Sequence, residues 1–193
     1  MTTTLFTNAH IATGEPGSTA ASTLPLQDIL VTDGVFTAFG PGLAQQYEAQ
    51  GGDLAAIEVV DLGGKLVCPP VCDTHLHLDY VFTARKPGAV NESGTLFEGI
   101  QRWSETKSDL TVDEIKQRAK IGIKKEMLHG VQLIRSHADV TDPNLTSLKA
   151  LLELKEELKD TVTLQIVSFP QEGMYSYEGP HGESGAELVE EGL

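Results

Sequence analysis

Two imidazoles two positions apart, His75 and His77, stand in the run Val71-Cys72-Asp73-Thr74-His75-Leu76-His77-Leu78-Asp79, with a carboxylate on either side. Side chains at i and i+2 of a β-strand leave the same face, so the pair can converge on one metal ion without distorting the backbone. Neutral imidazole suits Zn, Fe, Ni or Cu better than Mg or Ca. Cys68 and Cys72 beside the pair raise a rival, a Cys/Cys/His/His zinc centre. Pro69-Pro70 between them favours an extended chain of about 3.3 Å per residue, which puts the sulfurs more than about 10 Å apart. The thiols are therefore read as reduced, buried residues, and two cysteines make no secreted disulfide framework.

The elements that must position these residues change character near residue 70. Before it the pattern is β. Thr3 to Thr13 reads as a strand, and Asp28 to Thr32 runs through Asp33-Gly34 into Val35 to Phe39, a strong hairpin signal. Gly-Glu-Pro-Gly at 14–17 and Gly51-Gly52 mark loops, Leu43 to Gln50 allows a short helix, and Ile57 to Asp61 and Lys65 to Cys68 read as strands around Gly63-Gly64. After residue 70 the spacing becomes helical. Leu96, Ile100 and Trp103 recur on one face, with Trp103 expected in the core. Thr111 and Glu114 fit a capping box ahead of an apolar stripe of Val112, Ile115, Ala119, Ile123 and Met127, which His129-Gly130 ends. Val131 to Ser136 is the next strand. Asp142-Pro143 predicts a helix with proline at its first position and a face of Leu148, Leu151, Leu152, Lys155 and Leu158. Thr161 to Phe169 is a further strand, and Gly185 to Leu193 begins another helix. The order β, α, β, α, β with crossover-length helices predicts a parallel sheet.

With 14 basic against 28 acidic residues and a net charge of −14, the chain is a poor partner for nucleic acid or an anionic membrane surface. A hydrophobic fraction of 40% is enough for a core, no apolar run is long enough to span a bilayer, and the N-terminus lacks a basic, then apolar leader. The chain reads as a cytoplasmic protein.

Several blocks together carry a resemblance. Asp61-Leu62-Gly63-Gly64-Lys65-Leu66-Val67-Cys68-Pro69-Pro70, followed by His75-Leu76-His77-Leu78-Asp79, resembles the barrel entry of the amidohydrolase superfamily. Gly94-Thr95-Leu96-Phe97-Glu98-Gly99-Ile100-Gln101-Arg102-Trp103, Arg135-Ser136-His137-Ala138-Asp139-Val140 and Phe169-Pro170-Gln171-Glu172-Gly173 are similar to the cytosine deaminase branch. The resemblance implies an α/β fold: a small β-sandwich segment over residues 1–68, then, over 69–193, the first three β/α units of a (β/α)8 metal-dependent hydrolase barrel that this chain leaves incomplete. A whole barrel takes about 250 residues.

It also implies one divalent ion, Zn or Fe, with His75 and His77 as its first two ligands, and hydrolytic loss of ammonia from an amidine-like ring carbon of cytosine or a related heterocycle. By the same likeness Gln171 reads the substrate edge with an amide that can donate and accept, and Leu96 faces the ring with its main chain. His137, Asp139 and Asp79 are expected to orient the site rather than ligate. The remaining ligands and the acid/base residues are expected beyond residue 193. The isolated chain is accordingly expected to be poorly soluble and inactive. A non-catalytic metal-binding or interaction module, or one half of a split enzyme that pairs with a complementary barrel half or with another copy of itself, are the alternatives.

Overall fold

A computed structural model describes residues 2–12 and 24–193; Thr13 and the 14–17 loop expectation lie outside the described residues. The chain divides into two compact units, Met1–Pro69 and Pro70–Leu193.

The first unit is a five-stranded mixed sheet built from β1 (Thr3–Ile11), β2 (Leu26–Thr32), β3 (Val35–Gly40), β4 (Glu58–Asp61) and β5 (Leu66–Val67). The strand order is β3-β2-β1-β4, with β5 also pairing parallel to β1. The Asp33-Gly34 hairpin forms as read, both residues at positive φ (49° and 78°) as a twist-matched two-residue turn demands. Asn8, at φ 57°, makes a bulge in β1, and the buried Asp28 carboxylate accepts from Asn8 N and from Leu43 N at the start of α1 (Leu43–Ala49). Leu5, Ala9, Ile29 and Leu43 fill the core beneath this sheet.

The second unit holds a parallel sheet of order β6-β7-β8, from β6 (Val71–Leu76), β7 (Val131–Asp139) and β8 (Thr163–Phe169). Helices α2 (Leu96–Lys107) and α3 (Val112–Leu128) cross from β6 to β7, α4 (Thr146–Glu157) crosses from β7 to β8, and α5 (Gly185–Glu191) follows. The capping box of α3 is made in full by Thr111 and Glu114, and an unforeseen one, Ser184 with Glu187, starts α5. The stripe of α3 buries Ile115, Ala119 and Ile123 against Leu78, Ile134, Leu151 and Leu154. Among the described residues no helix is long and apolar enough to cross a membrane.

Three local expectations need correction. Helix α4 starts at Thr146, not at Pro143: Leu145 sits at φ 50°, which breaks the helical run, and Asp142 caps from outside by accepting from Asn144 N and Thr146 N at 3.0 Å each. Its buried face is Ser147, Leu148, Ala150, Leu151 and Leu154, whereas Leu152 and Lys155 face water. Strand β6 ends at Leu76 with shifted register between Asp73 and Leu76, so His77 lies just past the strand. Both cysteines are free and exposed rather than buried.

Candidate active site

The imidazole pair closes up at the C-terminal end of β6. His75 Nε2 and His77 Nε2 are 3.4 Å apart. Two nitrogens bound at about 2.0–2.1 Å to one tetrahedral ion would lie about 3.4 Å from each other, so the spacing suits a shared metal. His77 Nδ1 is 3.0 Å from the carbonyl of His137. A carbonyl only accepts, so Nδ1 carries the proton and the Nε2 lone pair faces His75. Burial lowers the pKa of His77, which keeps the ring neutral as ligation requires. His75 N donates to Asp73 Oδ1 at 2.9 Å, a local turn that fixes the backbone before the pair. Among the described residues no group of three or more His, Cys, Asp or Glu side chains is placed to hold a metal, so this unit offers two donors.

His137 stacks on His75 with ring centroids 4.1 Å apart and meets Phe169 edge-on at 5.6 Å. Its Nδ1 is buried without a partner, and burial lowers its pKa. The parallel register of β7 and β8 explains this crowding, because His137 pairs with Val167 and Asp139 with Phe169, which brings the ends of both strands level.

Behind the imidazoles lie two buried carboxylates. Asp79 is fully buried and accepts from Asp139 N at 2.8 Å and Tyr80 N at 3.1 Å; burial pushes its pKa up to about 7. Arg118 fastens the same turn by donating to the main-chain carbonyls of Asp79 and Val81. Asp139 is 1% exposed and is a hub. Its Oδ2 accepts from Trp103 Nε1 at 2.7 Å and Lys107 Nζ at 3.1 Å; its Oδ1 accepts from Thr141 N at 2.8 Å, Thr141 Oγ1 at 2.6 Å and Gln171 N at 3.3 Å.

Beside this hub opens a cavity of about 360 Å³ lined by Tyr80, Asn91, Leu96, Ile100, Trp103 and Gln171, among others. Tyr80 links it to the imidazoles, stacking on His77 at 4.6 Å and meeting Trp103 at 4.8 Å. Desolvation pushes the Tyr80 phenol up to about 12, so it stays protonated. The rim is fixed by its own hydrogen bonds. Asn91 accepts from Gly94 N and donates to Thr95 O, both at 2.8 Å, and Glu98 accepts from Ser93 N and Glu92 N. The Ser93 side chain foremost, and after it these main-chain contacts, hold the Glu98 carboxyl down to about 2. Gln171 Oε1 is buried with no hydrogen-bond partner among the described residues, an acceptor left over for an N–H or O–H of whatever fills the cavity.

The structure thus brings His75, His77 and His137 together, sets Asp79 against Asp139, and places Leu96 and Gln171 on one cavity. Trp103 is core, 4% exposed, yet its ring also walls the cavity and its indole N–H is spent on Asp139. Sequence reasoning missed Tyr80, Asn91, Arg118 and Lys107. The only signal available for Lys107 was its place one helical turn after Trp103.

Residues 58–190 match the amidohydrolase family. The fold superposes on a 5-methylcytosine deaminase from Klebsiella pneumoniae liganded with 5-fluorocytosine, with a TM-score of 0.78 and 38% identity over 97% of this chain and 40% of that one. N-isopropylammelide isopropyl amidohydrolase from Pseudomonas sp. strain ADP is 34% identical over 120 residues, 60% of this chain and 30% of its own length. Pterin deaminase from Rhizobium rhizogenes is 26% identical over 152 residues, 76% of this chain and 32% of its own length. The chain therefore spans about a third of the curated relatives it matches. A matching stretch that runs from the end of the first unit through the imidazole pair, the cavity and the third parallel strand makes this chain a member of the amidohydrolase family.

Proposed function

We propose that this chain is the N-terminal part of a metal-dependent hydrolytic deaminase acting on cytosine or a related heterocycle, with residues 1–68 contributing a β-sandwich segment and 69–193 the first three β/α units of a (β/α)8 barrel. The observation that carries the reading is the meeting of two features: the paired Nε2 atoms at metal-ligand spacing, and, joined to them by Tyr80, a cavity with an unpaired amide acceptor. Relatives whose names specify deamination or amide-type hydrolysis of heterocycles support the same reaction class.

In this reading His75 and His77 hold one divalent ion, Zn or Fe, through their Nε2 atoms. When bound, the ion supplies Lewis acidity and lowers the pKa of water it holds. The main-chain carbonyl of His137 keeps His77 in the ligating tautomer, and the aromatic walls Tyr80 and Trp103 exclude water from a flat ring. Gln171 Oε1 accepts an N–H from the ring edge, and the main chain at Leu96 closes the opposite side. Two imidazoles alone leave a metal weakly held, so the remaining ligands and the acid/base residues are assigned to sequence beyond residue 193. A span of 30–40% of the relatives' lengths supports this assignment. Isolated, the 193 residues are inactive as a deaminase.

The test is ammonia release by the product of the complete reading frame, loaded with Zn or Fe, on a panel of cytosine, 5-methylcytosine, isocytosine, pterin and triazine amines, together with metal content. Turnover of at least one ring amine that is lost with the metal in His77→Ala is expected. Stoichiometric metal with no release from any ring amine overturns the reading.

A further inference from the structure

Two of the cavity's walls come from distant parts of the chain: α2 with Ile100 and Trp103, and the segment after β8 with Gln171. Gln171 Oε1 accepts no hydrogen bond from the described residues, so no such bond orients this oxygen before a ligand arrives. Its placement falls to the main chain on either side. Gln171 N is held by Asp139, and the next side chain, Glu172, is ion-paired to Lys107. Lys107 is the last residue of α2, and its side chain is only 12% exposed. Its Nζ also donates to Asp139 Oδ2 at 3.1 Å and Thr141 Oγ1 at 2.8 Å. One ammonium thus closes a loop of contacts from the α2 wall, through two carboxylates, to the main-chain N of Gln171 and to the residue that follows it.

We infer that Lys107 is a positioning residue for ring binding, a latch that fixes the distance between the α2 wall and Gln171. This rests on the reading of Gln171 as the substrate contact. Without the ammonium, Asp139 and Glu172 would be two facing carboxylates with no cation between them, and Glu172, 26% exposed, is the one free to swing into water with Gln171 attached. The latch therefore acts on binding, before any bond is broken.

Lys107→Met keeps the apolar stem and removes the charge; Glu172→Gln keeps an acceptor and is the milder variant. In the metal-loaded product of the complete reading frame, Lys107→Met should raise KM for the best ring amine about tenfold or more while kcat stays within about threefold. Glu172→Gln should raise KM less, and Lys107→Arg should recover most of the loss. Hydrogen exchange should speed up in peptides covering 169–176 and the C-terminal half of α2, with α3 unchanged. An unchanged KM in Lys107→Met, or faster exchange throughout the second unit, overturns the latch. If the wild-type protein turns over no ring amine, the substrate reading fails while the exchange comparison still decides the latch: acceleration confined to 169–176 and α2 supports it, and none refutes it.

Discussion

Replacing Asp139 by Asn is the most searching test of how this site is held, because the change is nearly isosteric and all of its cost is electrostatic and hydrogen-bonded. Both carboxylate oxygens are fully used by donors: Trp103 and Lys107 on Oδ2, Thr141 N, Thr141 Oγ1 and Gln171 N on Oδ1. An amide must turn its NH2 to one of these two sets, so whichever way the substituted side chain is placed, at least two donors face a donor. Two charge-assisted hydrogen bonds at about 1.5–3 kcal/mol each, with a largely buried ammonium losing a partner, give a loss of about 3–5 kcal/mol. For a unit of this size that is a fall in Tm of about 10–20 °C. Urea unfolding of the complete protein followed by far-UV circular dichroism reads it directly. A loss below about 1 kcal/mol with unchanged slope would show that Asp139 is not the hub its contacts describe.

Other outcomes follow from single contacts. Gln171→Ala removes an acceptor that has no partner among the described residues, so kcat/KM for ring amines should fall about 10- to 100-fold in steady-state assays while the urea midpoint stays put. Asp79, pushed up to about 7 by burial from 3.8, keeps in the folded protein a proton that the unfolded chain has released. Its contribution is therefore complete below the unfolded value and lost as pH rises through about 7. In metal-free protein the wild type should lose about 2–3 kcal/mol more than Asp79→Asn between pH 5 and pH 8, measured by urea unfolding; parallel pH curves would contradict this. Thr111→Ala breaks the capping box of α3 and should cost about 1 kcal/mol by the same assay.

Local chemistry made much of the fold legible. The Asp33-Gly34 turn, the Thr111–Glu114 cap and the alternation of strands with amphipathic helices are each encoded by near neighbours in the chain, and each formed where it was read. Errors arose where one distant or conformational choice overrode the local pattern. The left-handed Leu145 moved the start of α4 past Pro143, and shifted β6–β7 pairing ended β6 before His77. The cysteines, read as buried from residue type, are exposed. The family, too, was readable from blocks of sequence alone, and the match over residues 58–190 agrees.

By itself, then, the sequence determined that two imidazoles would stand close together at a parallel strand's end, because they are two positions apart and the backbone carries both. What it could not determine was the company they keep. Trp103, Lys107, Asp139 and Gln171, far apart in the chain, meet only because β7 and β8 pair in one register, Asp139 opposite Phe169, and α2 packs over that end. Such convergence depends on where whole elements come to rest. A shift of one residue in that pairing would leave every local signal intact and scatter the site.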